Sequence, residues 1–139
     1  MELKGKVALV TGGSRGIGAA IAVSLAEAGA SVAVNYREKK VEAEVVAAAL
    51  HRAGAQSLAV RADVSKAADV TAMIATVERE LGPIDILVNN AGIGIVRGID
   101  DLTEADFDVT IAVNLKSVFL CTDRKSTRLN SSHVSEFRM

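Results

Sequence analysis

Thr11-Gly12-Gly13-Ser14-Arg15-Gly16-Ile17-Gly18 separates two stretches of different period, and the way it is read decides the fold. On its N-terminal side, Val7-Ala8-Leu9-Val10 is a short apolar run of strand formers, suited to a strand buried on both faces. On its C-terminal side, Ile17, Ile21 and Leu25 recur at helical spacing through an alanine-rich segment that stops at Gly29. A strand, a tight glycine turn and a helix N-terminus make an anion site, because orphan backbone N–H groups and the helix dipole face whatever lies before the turn. Gly12, Gly16 and Gly18 permit the turn dihedrals and let a phosphate and the neighbouring strand come close. The pattern T-G-x-x-x-G-x-G differs from G-x-G-x-x-G, and without a Lys-Ser/Thr pair after the glycines it is not a P-loop. Taken alone, such a turn is as readily a plain connection as a ligand site.

The rhythm continues outward from that turn. Ser31 to Tyr36 reads as a second strand, and Lys39 to Ala53 as a helix with Val41, Val45, Val46 and Leu50 on one side and Gly54 as its stop. Ser57 to Val60 is a third strand ending at Arg61-Ala62-Asp63-Val64. Ser65 is then expected to cap a helix striped by Val70, Met73, Ile74, Val77 and Leu81, which Gly82-Pro83 ends. Ile84 to Val88 is the fourth strand, and Thr103 caps a helix carrying Phe107, Ile111 and Leu115. Strands alternating with helices of this length mean β-α-β units, a parallel sheet and right-handed crossovers.

Composition narrows the classes. At 139 residues the chain is at most one domain, half its residues are hydrophobic, and a net charge of −1 gives no electrostatic case for nucleic acid or anionic membrane. No apolar run approaches the ~20 residues of a membrane span, and the N-terminus runs into the first strand without a signal-peptide core. The single cysteine, Cys121, lies in an apolar helical stretch and reads as a buried structural thiol, which fits a reducing cytoplasm. Two distant histidines, His51 and His133, make a metal site improbable.

A second motif, Asn89-Asn90-Ala91-Gly92, directly follows the fourth strand. With Thr11 to Gly18, Asp63-Val64 and Val113-Asn114, in this order and at these separations, it resembles the classical short-chain dehydrogenase/reductase (SDR) family, over residues 1 to about 122. Within it the chain is most similar to 3-oxoacyl-carrier-protein reductases and sugar dehydrogenases. The resemblance implies an α/β, three-layer Rossmann-type doubly wound parallel sheet, truncated here, with strands ordered 3-2-1-4. It also implies hydride transfer between a nicotinamide dinucleotide and a small carbonyl or secondary alcohol, and full-length relatives that are usually homotetramers.

Site residues follow position by position. Gly12, Ser14, Arg15, Gly16, Ile17 and Gly18 form the phosphate turn. At the end of the second strand, where a carboxylate would bond a free ribose 2′-hydroxyl, Asn35 and Tyr36 stand instead, with Arg37 next. Arg15 and Arg37 together suit a 2′-phosphate, so NADP(H) is favoured over NAD(H); the plainer reading is two solvated surface charges. By resemblance Asp63 contacts the adenine amino group, Val64 lies against the ring, and Asn90, Ala91 and Gly92 line the cofactor. Asn89 is read as tying neighbouring loops together. Asn114 is the one family catalytic residue present; its spacing from Phe107 and Ile111 places it on the buried face of its helix, and in the family it holds a water in the proton relay.

The family's serine and Tyr-x-x-x-Lys pair have no counterpart. The only tyrosine is Tyr36, and although Tyr36-Arg37-Glu38-Lys39-Lys40 matches Y-x-x-x-K, it falls at the adenosine end and straddles a strand–helix turn. At Asp123 the character changes: residues 123–139 contain no alanine or glycine and are polar, net basic and without period. That segment is expected to be a disordered, non-native tail. Asp123 to His133 resembles the conceptual translation of a widely used sequencing adapter, with residues 1–122 an incomplete nucleotide-binding domain. The expectation is a cofactor-binding half whose fourth strand is an open hydrophobic edge.

Overall fold

Val7–Val10 (β1) is buried at all four positions, as a run without polar alternation demands when both faces are covered. The computed structural model describes residues 2–129. β1 is followed by α1 (Gly16–Glu27), β2 (Ser31–Tyr36), α2 (Lys40–Arg52), β3 (Ser57–Arg61), α3 (Ala67–Glu80) and β4 (Ile86–Val88). A 3₁₀ turn (Ile99–Asp101), α4 (Glu104–Ile111), a π-helical turn (Ala112–Lys116) and α5 (Ser117–Leu129) complete the described chain. The strands form one sheet in the order β3-β2-β1-β4. Every pairing is parallel, with Leu9 opposite Ala33 on one side and Leu87 on the other. The expected doubly wound sheet and its strand order are observed.

Alternation along β1 divides two cores. Ala8 and Val10, with Val32 and Val34 of β2, meet Ala22 of α1 and Ala43 and Leu50 of α2. Val7, Leu9 and Ala33 face the other way, onto Val70, Met73, Ile74 and Val77 of α3 and Leu120 and Cys121 of α5. Helices on both faces give three layers. Each fully buried Val, Leu, Ile or Met contributes about 1.5–3 kcal/mol of burial, so the Met73–Ile74–Val77 stripe alone outweighs any surface ion pair in the molecule.

The structure corrects four local expectations. α2 packs through Ala43, Ala47 and Leu50, leaving Val41 and Val45 exposed; small residues let the helix lie close to the sheet, and the valines fall on its other side. Ser65 does not cap α3, whose N-cap is Lys66 without a side-chain bond; the Ser65 hydroxyl donates to Asp63 Oδ1 instead. The stripe Phe107, Ile111 and Leu115 is exposed; the residues this part of the chain buries are Val113, Ser117, Leu120 and Cys121. Finally, α5 runs on through Leu129, so the expected disorder does not begin at Asp123. Residues 130–139 of that segment lie outside the described residues. Thr103 caps α4 as expected, in a reciprocal capping box with Asp106.

Candidate dinucleotide site

The carboxyl ends of β1, β2, β3 and β4 rim one cleft of about 480 Å³. The loops there are fixed by buried polar side chains. Thr11, 2 % exposed, accepts from the backbone N–H groups of Asn90 and Ala91 (3.0 Å each) through its hydroxyl, which donates to Val88 O at 3.3 Å. Asn90 returns the link, its Nδ2 donating to the carbonyls of Thr11 (3.1 Å) and Gly12 (3.0 Å). On the other side Asn35, also 2 % exposed, accepts from Gly12 N at 3.1 Å and donates to the carbonyls of Tyr36, Val60 and Ala62. Thus the glycine turn is held from both sides.

That closeness explains two glycines. Gly12 has φ +61°, and a Cβ there would stand 2.9 Å from Ala91 Cα. A Cβ at Gly18 would fall 2.4 Å from both Asn90 Nδ2 and Gly12 O, so this turn of α1 packs against the loops only as glycine. The N-cap of α1 is Arg15, with no side-chain capping bond and no acidic residue in the first turn. The orphan N–H groups and positive dipole end therefore face the cleft without a protein anion.

All thirteen expected binding positions line this cleft: Gly12, Ser14, Arg15, Gly16, Ile17 and Gly18 from the turn, Tyr36 and Arg37 after β2, Asp63 and Val64 after β3, and Asn90, Ala91 and Gly92 after β4. Ile17 belongs here and not to the core: it is 75 % exposed, the first residue of its stripe being turned onto the cleft. Arg37 is paired with Glu38 at 3.2 Å. Burial raises the Asp63 carboxyl, but the hydroxyl and N–H of Ser65 and the charges of Arg37 and Lys66 outweigh this and hold it below the ordinary value. Asp63 is thus a carboxylate, with Oδ1 bonded to Ser65 and its backbone N–H to Asp69.

Asn114 does not lie on a buried face. It is exposed in the π-helical turn, where its amide clasps one residue: Oδ1 accepts from Ile93 N at 2.7 Å and Nδ2 donates to Ile93 O at 2.8 Å. Asn89 Nδ2 donates to the Thr122 hydroxyl at 3.4 Å, joining β4 to α5. Sequence reasoning missed the part played by Asn35, whose only sign was an amide in an otherwise apolar strand end. Cys121 is buried, its thiol pushed up to about 11 by burial, which makes it an inert core residue. Among the described residues no group of three or more His, Cys, Asp or Glu converges as a metal site, and no helix is long and apolar enough to cross a membrane.

A parallel sheet with a glycine turn, an uncapped helix N-terminus and a cleft at its carboxyl end defines a Rossmann-type nucleotide-binding fold. The family profile described as short chain dehydrogenase matches residues 6–134. The chain belongs to the short-chain dehydrogenase family, oxidoreductases that bind nicotinamide dinucleotides. It is 44 % identical over 124 residues to a 3-oxoacyl-[acyl-carrier-protein] reductase of Staphylococcus aureus, covering 89 % of this chain and 50 % of that protein. A short chain dehydrogenase of Burkholderia cenocepacia, solved in complex with NADP, superposes with TM-score 0.88 at 43 % identity, over 91 % of this chain and 51 % of its own. A blue fluorescent protein from a metagenomic library, in complex with NADPH, superposes with TM-score 0.87 at 37 % identity, over 91 % and 52 %. The chain spans about half the length of the curated relatives it matches.

Proposed function

We propose that this chain is the cofactor-binding half of an NADP(H)-dependent oxidoreductase, similar to 3-oxoacyl-carrier-protein reductases, that acts on a carbonyl or secondary alcohol. A bound nicotinamide would supply the hydride acceptor or donor. The observation that carries the reading is the single cleft on which the uncapped α1 N-terminus, Arg15 and Arg37 converge with the Asp63 carboxylate. In this reading the first turn of α1 and the backbone from Ser14 to Gly18 bind the pyrophosphate. Arg15 and Arg37 grip a 2′-phosphate, Arg37 exchanging its exposed partner Glu38 for the ligand. Asp63 accepts from the adenine amino group, with Val64 against the ring, and Asn90, Ala91 and Gly92 let the backbone approach the ribose. Asn114 holds the Ile93 backbone at the far end and is the one candidate catalytic residue. The full-length parent is read as a cytoplasmic homotetramer.

The chain as given binds without turning over. Its only tyrosine, Tyr36, ends β2 on the adenosine side and is bonded into the sheet through its backbone. Sequencing the source gene across the codons for Thr122 and Asp123 tests the truncation; a serine and a Tyr-x-x-x-Lys helix are expected beyond Thr122. Confirmation of residues 123–139 as coding sequence would remove the adapter reading. Calorimetric titration of the 139-residue chain with NADPH and NADH tests the cofactor. NADPH is expected to bind at least about tenfold tighter, as one charge-assisted contact of roughly 1.5–3 kcal/mol implies. Equal affinities would overturn the 2′-phosphate assignment, and binding of neither would overturn the site.

A further inference from the structure

Asp69 and Arg61 do not line the cleft, yet they join its two adenosine-side loops. The Asp69 carboxylate, in the first turn of α3, accepts through one oxygen both the Asp63 backbone N–H at 2.8 Å and Arg61 Nη1 at 3.2 Å. From the end of β3, Arg61 reaches across to β2, its Nε donating to the Arg37 carbonyl at 3.4 Å. The relay therefore runs from α3 to the loop carrying Asp63 and on to the loop carrying Arg37. As a stabilising device it is poor: the Arg61 side chain is 56 % exposed, and exposed ion pairs contribute little. Its geometry nonetheless sets the spacing of two groups that must meet opposite ends of one adenosine. Small displacements of positioned groups are costly to binding and catalysis.

We infer that Asp69 and Arg61 are positioning residues: Asp69 holds the adenine-binding loop, and Arg61 couples it to the loop that reads the ribose 2′-substituent. The inference rests on the dinucleotide reading proposed above. It predicts a pattern that general loosening of the fold would not produce. Losing Arg61 frees only the Arg37 loop, whereas losing the Asp69 carboxylate frees both.

The test is calorimetric titration of the full chain and its Arg61→Ala, Asp69→Asn and Asp69→Ala variants with NADPH and NADH, with circular dichroism to confirm folding. Arg61→Ala is expected to weaken NADPH about fivefold, the loss of one modest hydrogen bond, and to leave NADH within about twofold. Asp69→Asn keeps an acceptor for Asp63 N–H but loses the charge that attracts Arg61, so it should behave like Arg61→Ala. Asp69→Ala should weaken both dinucleotides by about tenfold. Equal losses for both ligands in Arg61→Ala, or identical behaviour of the two Asp69 variants, would overturn the coupling. Unchanged binding in all three would overturn the positioning role, while a wild-type chain that binds neither dinucleotide would instead bring down the reading on which it rests.

Discussion

The two sides of the cleft are built on opposite plans. Around the ends of β1, β2 and β3 the backbone is laced by side chains that are themselves buried: Thr11 and Asn35 between them bond to β3, to β4 and to the loops that follow β1 and β4. Between Ile93 and Phe107 the chain leaves the sheet and is held chiefly by the Asn114 clasp on Ile93 and the ion pair of Arg97 with Asp106 at 3.1 Å. There Val96 is 99 % exposed and Phe107 64 %. Further along, Ile111, Leu115, Val118 and Phe119, with Lys116 and Thr122, line a shallow groove. The cleft wall at the ends of β1, β2 and β3 is thus preorganised within this chain, whereas the side beyond β4 has no comparable internal support among the described residues.

Breaking that contrast is a matter of substituting on each side. Gly18→Ala should be the most damaging change, because its methyl group has no room between Asn90 Nδ2 and Gly12 O. A loss of about 3 kcal/mol in urea unfolding is expected, as for severe overpacking, together with loss of dinucleotide binding. A stable, binding-competent Gly18→Ala chain would mean that the turn and the β4 loop are not rigidly apposed. Asn35→Ala should follow at about 2 kcal/mol, since Gly12 N–H and the carbonyls of Val60 and Ala62 lose a buried partner. Unfolding midpoints compared at constant denaturant slope would reveal it. Smallest of all should be Phe119→Ser on the other side, within about 0.5 kcal/mol because the ring is already 57 % exposed. A loss of several kcal/mol there would mean that another copy of the chain covers this face in solution.

What the sequence revealed follows the same division. β2 is read to the residue as Ser31 to Tyr36, because its apolar Val32-Ala33-Val34 centre is bounded by Gly29 and Arg37 and suits a strand covered on both faces. The cleft residues were legible too, since the glycine and asparagine motifs mark places where backbone must approach backbone. Helix faces were less so. In α2 the period fits two sides, and the larger valines suggested the wrong one where small alanines set the helix-to-sheet distance. Helical spacing ties Asn114 to Phe107 and Ile111, but those residues are themselves exposed, so the pattern identifies a shared face without showing what covers it. Asn35 was visible as a residue but not as a joint, because its partners are backbone atoms contributed by three distant segments.

That joint also limits how the proposed preference for a 2′-phosphate could be re-engineered. A common way to favour an unphosphorylated ribose is to set a carboxylate at the end of the second strand. At position 35 such a carboxylate would have no N–H groups to donate, and three carbonyl oxygens would confront its charge. The scaffold would be lost before the preference changed. Redesign must begin one residue later, at Tyr36, whose side chain already borders the cleft and whose backbone alone serves the sheet.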